Sequence, residues 1–300
     1  MTKIKYKKTK CPICGTLNNY EILYKRNFKD SDLNTEIFSA RRLPDRKHYQ
    51  IVKCLGCGLV RSNPITDSKL LEKLYQKSIL TYDNEITNLV DTYFENLKPI
   101  LKKLPKNANI LEIGCGNGFI LEKIYQSGYK NVFGIEPSTD AVSKASKNIK
   151  NKITINMFKN NLFPKNKFDL IFLFQTLDHI PNPNEFIKEC YRISNQGGYF
   201  LAFNHNVESF TAKILKEKSP IIDIEHTVLY SPQTAKTIFE KNGYHVNQVY
   251  SPANILSLKH LFWLFPMPKS FKHKILDSSS SILKQKIKIK LGNLCLIAQK

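Results

Sequence analysis

The sequence predicts an α/β fold: an open, mostly parallel sheet with helices on both faces, preceded by a small cysteine-rich module and a helical linker. Three observations carry that expectation. Apolar runs without strict alternation recur between residues 109 and 250, separated by stretches of helical periodicity, as strands covered on both faces require. Three closely spaced glycines, Gly114, Gly116 and Gly118, join the first of these runs to a helix. Two C-x-x-C pairs, each followed by glycine, stand near the N-terminus, in a region with little helical periodicity.

Residues 1–10 read as a basic arm with five lysines and no acid. Residues 11–64 form a module too small to bury a core unaided, with strand-like runs at 20–24 and 48–52. Its pairs are Cys11-Pro12-Ile13-Cys14-Gly15 and Cys54-Leu55-Gly56-Cys57-Gly58. Two residues between thiolates let both sulfurs face one ion, and the trailing glycine lets backbone N–H groups turn toward sulfur. Four soft donors, Cys11, Cys14, Cys54 and Cys57, suit a tetrahedral structural Zn²⁺. A redox pair would need only one C-x-x-C, and buried free cysteines would need no spacing at all.

Residues 65–106 form the linker, with leucines and aromatics at spacings of three and four that predict two helices ending before Pro105. From 107 to 250 strands are expected at 109–113, 131–135, 168–174, 198–204 and 244–250, with helices at 117–127, 138–149, 183–193 and 232–242. Residues 251–300 combine an apolar patch at 256–267, a lysine-rich stretch to Lys290 and a last strand at 293–298. They read as a lid or insert before that strand.

The chain has 300 residues and a formal charge of +21, from 46 Lys and Arg against 25 Asp and Glu. Thirteen of those charges sit on residues 1–10 and 251–300, while residues 107–206 hold 11 basic and 8 acidic side chains. Only six of the basic residues are Arg, the side chain whose fork best matches phosphates and base edges. The excess therefore reads as compositional bias before it reads as a nucleic-acid footprint. No apolar run approaches the ~18 residues of a membrane-spanning helix. Residues 1–10 lack the apolar segment of a secretory signal. With four of seven cysteines paired as C-x-x-C, a reducing, cytoplasmic setting is expected.

The most informative string is Ile110-Leu111-Glu112-Ile113-Gly114-Cys115-Gly116-Asn117-Gly118. Glycines after a buried strand let the backbone turn sharply and approach a ligand. A second strand ends in Glu136, eighteen residues beyond Gly118, where a carboxylate can accept both ribose hydroxyls. This arrangement resembles motif I of the class I S-adenosylmethionine-dependent methyltransferases, and the runs at 168–183 and 191–200 resemble later segments of that family. The resemblance implies a Rossmann-like seven-stranded sheet and a cofactor-binding set of Glu112, Gly114, Gly116, Asn117, Gly118, Glu136, Asn161 and Gln175. Many members carry an acid where this chain offers Asn161, whose amide oxygen can still accept from the adenine amino group.

Transfer of a methyl group to a weakly acidic acceptor needs a group that takes its proton. His179, after the 168–174 strand, and His226, in Ile224-Glu225-His226-Thr227, lie where the C-terminal edge of the sheet is expected. Glu225 offers an orienting carboxylate and His226 is the expected general base. Zinc module, helical linker, cofactor domain and Glu-His motif together resemble the bacterial C-methyltransferases of nucleotide-linked deoxy-keto sugars and looser relatives from polysaccharide gene clusters. Those sugar enzymes are longer and carry a further C-terminal domain. The resemblance implies a sugar or glycan precursor as the small-molecule acceptor.

Two other readings stay open. An rRNA or tRNA methyltransferase would use the zinc module and basic ends on RNA, although Gln175-Thr176-Leu177-Asp178 stands where base-amino enzymes carry an Asn/Asp-Pro-Pro-aromatic tetrapeptide. A non-catalytic scaffold or membrane-associated partner would use the patch around Phe262, Trp263 and Phe265, with residues 256–290 against an anionic surface. The sequence leaves oligomeric state open.

Overall fold

The computed structural model describes residues 4–34, 46–79, 86–259, 261, 283 and 285–300. The apolar and lysine-rich stretch expected over 256–290 lies largely outside them. Among the described residues no helix is long and apolar enough to cross a membrane.

The chain begins with β1 (Tyr6–Lys7), β2 (Tyr20–Tyr24), β3 (Ile51–Cys54), β4 (Val60–Ser62) and β5 (Ile65–Thr66). Helices α1 (Ser68–Gln76) and α2 (Ile86–Leu101) follow. Asp67 caps α1 by accepting from the Lys69 and Leu70 amides. The α/β segment runs β6 (Ile110–Ile113), α3 (Phe119–Gln126), β7 (Val132–Glu136), α4 (Thr139–Ser143), α5 (Lys147–Lys150), β8 (Ile153–Ile155), β9 (Phe168–Phe174), α6 (Pro183–Ile193) and β10 (Ser194–His205). It continues with α7 (Phe210–Leu215), β11 (Val228–Leu229), α8 (Pro232–Lys241), β12 (His245–Tyr250), β13 (Asn254–Ser257), β14 (Lys286–Ile289) and β15 (Asn293–Gln299).

Seven strands form the main sheet in the order β12-β15-β10-β9-β6-β7-β8. From β10 to β8 every pairing is parallel, and β15 runs antiparallel to both its neighbours. The expected mostly parallel seven-stranded sheet is the one observed. Its strands send alternate residues into two separate cores. Leu111, Ile113, Ile171 and Leu173 pack with Phe186, Ile187, Ile238 and Phe239 of α6 and α8. Ile110, Leu170, Phe172 and Phe203 pack with Leu97, Leu101, Ile120 and Ile124 of α2 and α3. Burial on both faces is why these strands read as continuous apolar runs. The second helix of the expected linker is therefore a layer of the sheet.

The direction of chain progression reverses at β6, which has β7 on one side and β9 on the other. Open α/β sheets bind ligands in the crevice at the carboxyl ends of strands flanking such a point. A second sheet, β11-β4-β3-β2, belongs to the cysteine module except for β11, which comes from the connection between β10 and α8. Val228 and Leu229 pair with Arg61 and Val60. Cys11, Cys54 and Leu59 share the core that contains Val228 and Tyr230.

Candidate active site

The glycine turn follows β6 at the reversal point. Gly114 has φ +73°, and a Cβ there would stand 2.7 Å from Thr176 Oγ1, just beyond β9. Gly118 caps α3 at φ +72°, and its Cβ would meet Ile149 Cγ2 at 2.6 Å. Only glycine satisfies both the left-handed backbone and the lack of room. Glu136, at the end of β7, accepts from the Gly116 amide through Oε2 and from the Ser138 amide through Oε1, each at 2.9 Å. Burial pushes its carboxyl above the ordinary range, with those two amides opposing.

Glu112 is buried in β6, one residue short of the strand's end. Asn117 Oδ1 and Gln175 Oε1 are buried without a hydrogen-bond partner. Gln175 holds φ +50° and donates from Nε2 to Asn293 Oδ1 at 3.2 Å. Two orphaned amide oxygens beside a glycine turn and a buried carboxylate form a set of hydrogen-bond acceptors that fits the hydroxyls and ammonium of a nucleoside carrying an amino-acid chain. Asn161 lies in the connection from β8 to β9, exposed, with φ +62° and its amide donating to Glu189 Oε1.

The histidines converge on a residue that sequence reasoning did not single out. Asp178, 1% exposed, lies in the short 3-10 turn after β9. Its Oδ2 accepts from His205 Nδ1 at 2.7 Å and its Oδ1 from Asn204 Nδ2 at 2.9 Å. His179 Nε2 and His226 Nε2 each stand 3.8 Å from the same carboxylate. The ring of His226 lies 4.7 Å from that of His205 and 5.1 Å from that of His179, between centroids. Burial alone would raise Asp178; His226, His205 and His179 outweigh it and hold the carboxyl far below the usual range.

His226 is buried, and burial pushes its imidazole below the ordinary histidine value, with Asp178 opposing. Its Nδ1 lies 2.8 Å from the Ile221 carbonyl, which can only accept, so the hydrogen sits on Nδ1 and the lone pair on Nε2. His179 Nδ1 meets Tyr75 Oη at 3.2 Å. Burial, then the charges of Glu225 and Asp178, push the Tyr75 phenol well up. Glu225 is buried beside His226, its amide donating to Asp223 Oδ1. The expected His179, Glu225 and His226 thus share one neighbourhood, to which the structure adds Asp178, His205 and Tyr75. His205 ends β10 at the carboxyl-end edge of the sheet, a signal available in the sequence.

The sulfurs of Cys11, Cys14, Cys54 and Cys57 lie within 4.8 Å of one another. Each pair closes as a knuckle, Gly15 N–H to the Cys11 carbonyl at 2.7 Å and Gly58 N–H to the Cys54 carbonyl at 2.9 Å. At φ +74° and +76° both glycines occupy left-handed backbone. Burial raises the Cys54 thiol, but the Cys57 and Gly56 amides and the neighbouring sulfurs outweigh it and bring it down to about 6. Four sulfurs at this separation fit a tetrahedral thiophilic cation.

A family model described as a methyltransferase domain matches residues 86–249. A ubiquinone biosynthesis O-methyltransferase of Shewanella pealeana is 27% identical over 114 residues, 35% of this chain and 48% of that protein. An uncharacterized methyltransferase of Schizosaccharomyces pombe is 32% identical over 115 residues, 33% of this chain and 41% of its own length. The chain spans about half or less of the length of these curated relatives. Among solved structures, a SAM-dependent methyltransferase from Aquifex aeolicus is 17% identical, with a TM-score of 0.45 over 71% of this chain and 96% of that one.

Proposed function

The chain belongs to the methyltransferase-domain family, and from that premise we propose that it moves the methyl group of S-adenosylmethionine to a small-molecule acceptor, a sugar or glycan precursor, with His226 as general base. One juxtaposition carries the reading. The glycine turn follows β6, Glu136 ends the neighbouring β7, and the histidine-ringed Asp178 follows β9 on the other side of β6, so the residues proposed for cofactor binding and proton transfer lie at the same carboxyl-end edge of the sheet.

Glu112, Gly114, Gly116, Asn117, Gly118 and Gln175 would hold the cofactor's amino-acid portion, Glu136 its ribose and Asn161 its adenine. The bound cofactor supplies an electrophilic methyl on a sulfonium. The chain's own task is to align the acceptor and take its proton. The Ile221 carbonyl fixes the His226 tautomer and leaves Nε2 to accept that proton. Asp178, ionised and 3.8 Å away, stabilises the imidazolium that results. Tyr75 and His179 offer hydrogen bonds to acceptor oxygens on the same side. Zn²⁺ on Cys11, Cys14, Cys54 and Cys57 would fold the module, its binding coupled to folding.

The sugar class rests on the four-part organisation of zinc module, helices, cofactor domain and Glu-His motif. A hydroxyl of another small molecule is the second reading, favoured by the similarity to ubiquinone biosynthesis O-methyltransferases. Incubation with methyl-labelled S-adenosylmethionine and two acceptor panels, nucleotide-linked keto sugars and phenols, tests both. Label in the sugar fraction, lost in His226→Ala, supports the first. Label only in phenols replaces the acceptor, and label in neither overturns the proposal.

A further inference from the structure

We infer that the cysteine module positions the general base, and that Ser62 is the residue through which it does so; this rests on the proposed role of His226. The module is joined edge to edge with the loop that carries the base. β3 contains Cys54 and pairs with β4, Ile51 opposite Ser62 and Lys53 opposite Val60. On its other edge β4 pairs with β11, two residues beyond His226. A continuous ladder therefore runs from a sulfur donor to the base.

Ser62, 1% exposed, sits at the crossing and uses every polar atom. Its amide donates to the Thr227 carbonyl at 2.9 Å, and its hydroxyl to the His226 carbonyl at 3.2 Å. Its own carbonyl accepts from Thr9 Oγ1, two residues before Cys11, at 2.9 Å. On the opposite side the Thr227 amide donates to the Asp178 carbonyl at 2.8 Å. The His226 peptide is thus clamped between the module and the turn that bears Asp178. A base whose following peptide is gripped from two sides, and whose Nδ1 meets the Ile221 carbonyl, keeps its Nε2 in place before the acceptor arrives, which is what a general base needs.

The knuckles in turn are anchored on the sheet's helices. Asn184 Nδ2 of α6 donates to the Pro12 carbonyl at 2.7 Å, and Lys241 Nζ of α8 to the Pro12 and Ile13 carbonyls at 2.9 and 2.7 Å. The second knuckle is tied to β4 by the Cys54 amide, which donates to the carbonyl of Leu59, the residue before that strand. A metal that fixes the four sulfurs would hold both ends of this clamp. The glycine turn is built differently, from β6 and β7, with the Gly114 and Cys115 amides on the Ile135 carbonyl. Loosening the module should free the base loop and leave the cofactor turn intact.

Ser62→Ala and Ser62→Thr in the 300-residue chain test this, with metal content, S-adenosylhomocysteine affinity and hydrogen exchange read on each. In Ser62→Ala, exchange at residues 222–229 should rise about tenfold, the consequence of losing one buried hydrogen bond. Its affinity for S-adenosylhomocysteine should stay within about twofold, and the His226 imidazole should titrate closer to an ordinary histidine. Ser62→Thr should restore protection. Wild-type protein stripped of metal by a chelator should show the same local change with cofactor affinity retained. Unchanged exchange at 222–229 in both Ser62→Ala and stripped protein overturns the inference, as does parallel loss of cofactor affinity. These readouts need no acceptor, so a wrong assignment of His226 as base shows itself separately, as full turnover in His226→Ala.

Discussion

Asp178 Oδ2 accepts the Nδ1 hydrogen of His205 across 2.7 Å, fixing one imidazole tautomer around a carboxylate that is 1% exposed. The other oxygen is held by Asn204, so rotation of the carboxylate would break two bonds. Asp178→Asn places a second amide donor against Asn204 or His205 and should destabilise the chain by about 1–3 kcal/mol at pH 7. Because the native carboxyl is held far below its usual range, its stabilisation is present above the unfolded value of about 4 and is lost as pH falls below it. Denaturant titrations should show the gap between the two proteins beginning to narrow below about pH 4 and narrowing further toward the much lower native value. A gap that stays constant from pH 5 down to pH 3 would assign the effect to packing.

His226→Ala should cut turnover by about 10²–10⁴ while affinity for S-adenosylhomocysteine stays unchanged. Burial lowers the native imidazole, so in the wild type the acid limb of kcat/KM should lie below the ordinary histidine value of about 6.5. An acid limb above that value would point to a different base.

Glu136→Ala should weaken cofactor binding by about tenfold or more, the loss expected when a buried carboxylate no longer meets the ribose. Burial raises this carboxyl, so in the wild type affinity should begin to fall at a higher pH than an ordinary glutamate, about 4.3, would give. Calorimetry from pH 7 to pH 4.5 measures both. Equal affinity in the variant would remove Glu136 from the site.

The glycine turn and Glu136 were legible in the sequence because each answers a local demand. Gly114 and Gly118 combine left-handed backbone with no space for a Cβ, and one residue type meets that demand. Strands β6 and β9 were legible because burial on both faces leaves a continuous apolar run. The helix expected over 138–149 is two short helices, α4 and α5, with Ser146 between them donating its hydroxyl to Glu122. The edge strand β8, with Thr154 and Ile155 exposed, carries too little apolar signal to register. β11 and the Ser62–His226 contact depend on pairing between residues 164 apart, which no local pattern encodes. Asp178 lies in the run at 168–183 that resembles a family segment, and its role appears only when β10 brings Asn204 and His205 beside it.

Metal analysis of the full chain should give about one zinc per molecule, as a closed four-sulfur site requires. Cys54→Ser removes the sulfur favoured by the Cys57 and Gly56 amides and should reduce retained zinc to a small fraction. Full zinc content in that variant would place the ion elsewhere.

The most direct measurement of the central claim is calorimetric titration of the purified chain with S-adenosylhomocysteine, alongside Gly114→Ala. An added Cβ at Gly114 would stand 2.7 Å from Thr176 Oγ1 and force the turn open. One binding site per chain is expected in the wild type, with affinity reduced by about tenfold or more in the variant. No binding to the wild type, or equal binding to both, would contradict it.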